Sequence, residues 1–224
     1  MNLRVLVAGV DEAGRGCVIG PLVVAGVLIR EEILPALTRL GVKDSKLLAA
    51  KKREALAVEI ARLAEKHVVV KLAPVEIDRA VESGRKLHKL NRLEAQTMAR
   101  IIEALKPDVA YVDAADVLEE RFKHHIQEGL SFKAKIVAEH KADRNYPVVS
   151  AASIIAKVER DREIAALIGE YGDFGSGYLA DPRTMQFLKQ WLQTHGEYPD
   201  CVRKSWKPAK QAKDALGSVQ KKLA

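Results

Sequence analysis

The chain has 224 residues, of which 48% are hydrophobic and 30% charged, with a formal net charge of +7. That length suits one catalytic domain with a small appendage. It holds no membrane helix, since the longest apolar run, Pro21 to Ile29, is far below ~18–20 residues, and no zinc or disulfide framework, since Cys17 and Cys201 lie far apart without CxxC spacing.

Leu3 to Val10 reads as a buried strand, and Val18 to Ile29 as a second, antiparallel to the first across a Gly-rich turn. A helix is expected from about Ser45 to Ala64, capped by Asp44 or Ser45. Leu56, Ile60 and Leu63 make its apolar stripe. His67 to Ala73 is a third strand. A helical region from about Val75 to Leu105 follows, broken near Ser83-Gly84. Asp108 to Val112 is a fourth strand, Val117 to Glu128 a helix, Phe132 to Ala138 a fifth strand, and Val148 to about Glu170 a long helix. After a glycine-rich loop, Gly172 to Tyr178, Asp181-Pro182 starts a short helix stopped at Gly196. Phe187 and Trp191 face its core side. A basic helix is expected from about Lys207.

Hairpin strands followed by alternating helices and strands give an α/β fold, a mixed sheet covered by helices. The expected division is a catalytic domain over residues 1–171 and a helical, basic region over 172–224. Residues 201–224 hold seven basic side chains against Asp214 alone, so this segment carries +6 of the net charge. Such a patch binds polyanions through counterion release or merely solubilises. Arg203, Lys204 and Lys207 are even candidates for touching nucleic acid. The amino terminus lacks a signal-peptide pattern, so a cytoplasmic protein with free thiols is expected.

Acids close three strands: Asp11-Glu12, Asp113 and Asp143. In α/β sheets sites are built at strand ends, and adjacent, parallel strands 1, 4 and 5 would deliver these carboxylates to one place. Asp11 and Glu12 would converge where the first strand frays. Hard oxygen ligands suit Mg²⁺ or Mn²⁺, and two such ions roughly 4 Å apart activate a water and stabilise the leaving oxygen of a phosphodiester. Carboxylates aimed at a phosphate backbone repel it unless metal lies between, which favours an enzyme over a binding module. Taken singly, Asp113, Asp116 and Asp44 are ordinary caps, Asp143 a solvated loop acid, and His140 a loop brace.

Asp11-Glu12-Ala13-Gly14-Arg15-Gly16, Ile19-Gly20-Pro21, Asp44-Ser45-Lys46, Asp113-Ala114-Ala115-Asp116, His140-Lys141-Ala142-Asp143, Ser150 to Lys157 and Gly175-Ser176-Gly177-Tyr178, in that order, resemble the type 2 ribonucleases H, archaeal branch. The resemblance implies a ribonuclease H-like fold, a five-stranded mixed sheet flanked by helices with a small helical carboxy-terminal part. It implies an endonuclease cutting the RNA strand of RNA·DNA hybrids and single ribonucleotides in duplex DNA. The cut falls on the 5′ side of the ribonucleotide and leaves 3′-hydroxyl and 5′-phosphate ends. Asp11, Glu12, Asp113 and Asp143 match the catalytic acids that hold two Mg²⁺ or Mn²⁺ ions. Gly14, Arg15 and Gly16 match the reader of the 2′-hydroxyl, Tyr178 the tyrosine that stacks on the next sugar, and Lys46 a phosphate contact. Cys17 and Leu179 stand where many members have proline, which predicts looser loops there. Gln220-Lys221-Lys222-Leu223 resembles the start of a sliding-clamp-binding peptide without its aromatic pair. A monomer is expected. The alternatives are another nuclease of the same superfold, or a non-catalytic nucleic-acid-binding module.

Overall fold

The protein is described by a computed structural model over residues 4–43, 48–83 and 89–214. Five strands form one sheet: β1 (Leu6–Ala13), β2 (Leu22–Arg30), β3 (Lys66–Leu72), β4 (Val109–Asp113) and β5 (Lys135–Glu139), in the order β3-β2-β1-β4-β5. β1 runs antiparallel to β2 and parallel to β4, and β4 runs parallel to β5. β1 and β2 are buried on both faces, as the near-continuous apolar wording of LVAGV and LVVAGVLI requires. The mixed sheet therefore stands as expected. The helices are α1 (Leu34–Arg39), α2 (Ala50–Leu63), α3 (Pro74–Glu82), α4 (Lys89–Leu105), α5 (Glu119–Gln127), α6 (Ala142–Asn145), α7 (Pro147–Tyr171) and α8 (Pro182–His195). Residues 207–214 are also helical. Among the described residues no helix is long and apolar enough to cross a membrane.

Several boundaries differ from the pattern reading. β1 does not fray at Val10 but stays paired with β2 through Ala13. β2 begins at Leu22, because Cys17 and Ile19 instead form single bridges with Tyr178 and Val202. α2 starts at Ala50 with no side-chain cap on Ala49; Asp44 and Ser45 lie outside the described residues. α1 and α6, of six and four residues, are too short to show a periodicity in the sequence.

The contacts divide the chain into two units, and not at residue 171. One unit is residues 1–13, 23–71 and 86–159; the other is 14–22, 72–85 and 160–224. The boundary falls inside α7, which a linear reading cannot see because the helix is unbroken. The first unit holds the sheet. Its core joins Val23, Ala25, Val27 and Ile29 of β2 to Val148, Val149, Ala152 and Ile155 of α7. This part of α7 is apolar almost all round, as a helix enclosed in a core must be.

The second unit packs Val18, Ile19, Ile164, Phe174, Leu188, Leu192, Tyr198 and Val202 together. Phe187 and Trp191 pack against that cluster, as expected, with ring centroids 5.4 Å apart. α8 is closed as its sequence says: Asp181 accepts from Arg183 N at 3.0 Å, and Gly196 ends it at φ 75°. The helical residues 207–214 are held from another segment. Asp78 of α3 accepts from the backbone nitrogens of Lys204 (2.8 Å) and Ser205 (2.9 Å) and from the Ser205 hydroxyl. Asp78→Ala leaves those donors without their acceptor and is expected to cost about 1–2 kcal/mol. Urea unfolding that shows less than a few tenths would refute this capping role.

Candidate active site

The ladder between β1 and β4 ends at Val10 opposite Val112. Asp11 and Asp113 are thus the next residues on two adjacent parallel strands, at the same carboxyl edge. Asp113 is in turn paired with Glu139, the last residue of β5. Past β5 the chain turns through Lys141, held at φ 58°, and enters α6, whose first turn carries Asp143. The Asp113 carboxylate accepts from Ala142 N at 3.0 Å and so fixes that turn. Three expected carboxylates are thereby gathered from three neighbouring strand ends. Asp143 sits on a short helix and is 7% exposed, not in a solvated loop as its charged neighbours suggested. Glu12 follows Asp11 on a strand still paired to β2, opposite Val24, and is half-buried. The two acids do not converge through fraying.

Asp11 is 3% exposed. Burial first, then the neighbouring charge of Asp113 and more weakly that of Asp143, push its carboxyl from 3.8 up to about 7; bonds from the Ser153 hydroxyl and the Glu12 N–H oppose the rise. The Glu12 N–H lies 2.7 Å from the Asp11 oxygen. Ser153, on the buried face of α7, was not singled out, because in a run of Ser, Ala and Ile it reads as helix packing. Ser150, one turn earlier, donates to the carbonyls of Asp143 and Tyr146. The Tyr146 hydroxyl donates to Glu139 at 2.8 Å, and its ring stacks on Tyr111 with centroids 4.2 Å apart.

The donor set is carboxylate oxygen only, and its mutual repulsion is what a divalent cation relieves. Among the described residues no three acidic, imidazole or thiol groups form a ready-made metal cage. An open set of oxygens fits Mg²⁺ or Mn²⁺, which keep waters and take substrate oxygens into their shell, better than zinc.

The nearby polar residues brace. Asp116 is fully buried, accepts from Leu118 N at 3.1 Å and pairs with Arg121, which holds its carboxyl well below the usual range. His140 Nδ1 and Nε2 lie 3.1 and 3.4 Å from the carbonyl oxygens of Ala114 and Val117. His140 matches the bracing role read from the sequence, whereas Asp116, read as a cap, does not cap α5, whose N-cap Leu118 has no side-chain bond, and instead braces the turn before it.

In the second unit, Gly14 takes φ 84°, where a Cβ would also meet the Pro21 carbonyl at 2.7 Å. Arg15 is half-buried and Gly16 exposed. The Tyr178 loop is built by the first turn of α8: Asp181 accepts from Ser176 N at 2.8 Å, and Thr184 from Gly177 N at 3.0 Å. The Arg160 guanidinium lies 4.8 Å from the Tyr178 ring centroid and donates to the Ser176 carbonyl. Gly177 O accepts from Val18 N at 2.8 Å, tying this loop to the Gly-Arg-Gly segment.

The loop at Cys17 is held by its neighbours. Its buried thiol donates to Gly14 O at 3.0 Å and its backbone bridges to Tyr178, while Leu179 packs on the unit's core. Arg203 is fully buried and bonded to backbone oxygens of residues 14, 15 and 20, so it is not a nucleic-acid contact. Lys204 and Lys207 are exposed. Cys17 and Cys201 are both free and buried. Lys46 and the tail Gln220–Leu223 lie outside the described residues.

The family model for ribonuclease HII matches residues 8–209. Ribonuclease HII of Pyrococcus abyssi is 49% identical over 216 residues, covering 96% of this chain and 94% of that protein. Among solved structures, ribonuclease H2 of Pyrococcus horikoshii superposes with a TM-score of 0.87 at 44% identity, covering 95% of this chain and 99% of that one. The ribonuclease HII of Archaeoglobus fulgidus, solved as a PCNA:RNase HII complex, gives 0.82 at 48% identity over 91% and 96%.

Proposed function

This chain belongs to the ribonuclease HII family, endonucleases of the ribonuclease H type, and on that premise we propose that it cuts RNA strands in RNA·DNA hybrids and single ribonucleotides in duplex DNA, on the 5′ side of the ribonucleotide. The observation that carries the reading is the trio Asp11, Asp113 and Asp143 at adjacent strand ends, with the Asp11 carboxyl held up by burial and by its neighbours. Asp11, Glu12, Asp113 and Asp143 would hold Mg²⁺ or Mn²⁺. Bound there, two divalent ions supply a Lewis acid for the attacking water and for the leaving 3′ oxygen. The chain's own residues do the rest. The Ser153 hydroxyl and the Glu12 N–H orient the Asp11 carboxylate, and the Ala142 N–H orients Asp113. The Gly14-Arg15-Gly16 backbone reads the ribose 2′-hydroxyl, the group that separates RNA from DNA. Tyr178, backed by Arg160, stacks on the following sugar.

A non-catalytic binding module draws little support from the basic terminus. Lys204, Lys210 and Lys213 are paired with Asp200, Glu82 and Glu197. Binding of a sliding clamp through Gln220–Leu223 rests on the tail's resemblance and on the Archaeoglobus fulgidus complex.

The test is cleavage of a labelled DNA duplex holding one ribonucleotide, against the same duplex with none, with and without Mg²⁺. A single cut on the 5′ side of the ribonucleotide, only with metal, is the expected product. Cutting that ignores the ribonucleotide, or proceeds in excess EDTA, would refute the reading.

A further inference from the structure

The reader of the 2′-hydroxyl is three residues of backbone, and backbone reads a ligand only if its peptide planes are held. We propose that Arg203 is the positioning residue that sets those planes and thereby sets ribonucleotide selectivity. Arg203 is fully buried, and its planar fork is spent on the loop: Nη2 donates to Gly14 O at 2.6 Å, Nη1 to Arg15 O at 2.7 Å and Nε to Gly20 O at 3.1 Å. Nη2 also lies 3.0 Å from the Cys17 sulfur, whose own proton goes to Gly14 O. The guanidinium is backed by the Trp206 ring, 5.0 Å from its centroid, and the Arg203 backbone nitrogen donates to Val18 O at 2.8 Å.

The consequence follows from covalent geometry. The described chain has no cis peptide bond, and in a trans peptide the carbonyl and the N–H of the same unit point in opposite directions. Drawing the Gly14 and Arg15 carbonyls onto Arg203 therefore turns the N–H groups of Arg15 and Gly16 away from it. Two consecutive amides facing outward make a concave donor surface for an oxygen. On that side Gly16 is exposed, and a Cβ built there meets nothing within 4 Å. Only a rigid, bidentate fork satisfies several carbonyls in one plane; a lysine ammonium offers the charge without the geometry.

This inference rests on the reading that the Gly-Arg-Gly segment senses the 2′-hydroxyl, and the test separates the two. Arg203→Lys and Arg203→Gln are placed in an Asp113→Asn background, so that nothing is cleaved in Mg²⁺. Affinity is measured for a DNA duplex with one ribonucleotide and for the all-DNA duplex, alongside the thermal midpoint. The background protein is expected to prefer the ribonucleotide duplex. The Arg203 variants are expected to lose at least fivefold of that preference while their affinity for all-DNA duplex stays within twofold. An unchanged preference in a folded variant overturns the proposal, as does an equal fall for both duplexes. Failure of both variants to fold overturns it too, because the arginine is then structural alone. If the background protein itself shows no preference, the reading of the Gly-Arg-Gly segment fails, and the inference fails with it.

Discussion

Asp11→Asn is expected to abolish metal-dependent cleavage and, at the same time, to make the metal-free protein more stable. The first effect follows from losing a formal charge where a divalent ion must sit. We expect a loss of roughly a thousandfold or more in rate, about 4 kcal/mol of barrier, with duplex affinity little changed. The second follows from the buried carboxyl. Its folded-state value, pushed up to about 7, lies above the ordinary 3.8. Between about pH 4 and 7 the folded state therefore holds a proton that the unfolded state has released. Stability falls as pH rises through that window, and the loss is complete above it. Asparagine has no such titration, and its side-chain oxygen still accepts from the Glu12 N–H. At pH 8 without metal the variant should exceed the parent by roughly 4 kcal/mol, an order-of-magnitude figure from 1.36 kcal/mol per pKa unit and the rise from 3.8 to about 7, and at pH 4 the gap should close. Adding Mg²⁺ should raise the parent's midpoint more than the variant's, since only a bound ion stabilises the fold by mass action. Urea unfolding at the two pH values decides it. A variant less stable than the parent at pH 8 would mean that Asp11 is held by attractive partners and not strained by Asp113.

Much of this arrangement was legible in the sequence. Apolar runs bounded by acids marked β1, β4 and β5, and their alternation with helices put the acids on one edge. The order of the Gly-Arg-Gly, Asp-Ala-Ala-Asp and Gly-Ser-Gly-Tyr segments carried the family. What stayed hidden depends on contacts between residues far apart in the chain. Arg203 sits in a basic tail, where counting charge suggests a polyanion; only the fold shows that its partners are carbonyl oxygens of residues 14, 15 and 20. Ser153 is one hydroxyl in a helix of alanines and isoleucines, and no periodicity points it at Asp11. The helical turn that carries Asp143 is four residues long, too short for any pattern. The second unit assembles from three separate segments, so no composition shift could have marked its boundary.

The position that ties fold to site most tightly is Gly9, two residues before Asp11. β1 is the middle strand of the sheet, with Gly9 paired to Val27 on one side and Tyr111 on the other. A Cβ there would lie 2.2 Å from the Val148 carbonyl oxygen, 2.3 Å from its carbon and 2.5 Å from Val149 N. These are backbone atoms in the first turn of α7, so no side chain can swing away, and either the helix or the strand must move. Both carry the site: β1 bears Asp11, and α7 bears Ser153 and Ser150, which hold Asp11 and the Asp143 carbonyl. Gly9→Ala is therefore expected to cost about 3 kcal/mol or more, at the top of the overpacking range, which lowers the midpoint by roughly 6–12 °C in a chain of this size. Well below that midpoint the variant should still cleave at least tenfold more slowly, because an ångström of misplacement costs up to about a hundredfold. Gly169 in the same helix is the control: a Cβ there meets nothing within 4 Å. Gly169→Ala should be neutral or stabilise by up to about 1 kcal/mol through helix propensity alone. If Gly9→Ala unfolded within 1 kcal/mol of the parent and retained its rate, the close approach of α7 to β1 would not be what positions the carboxylates.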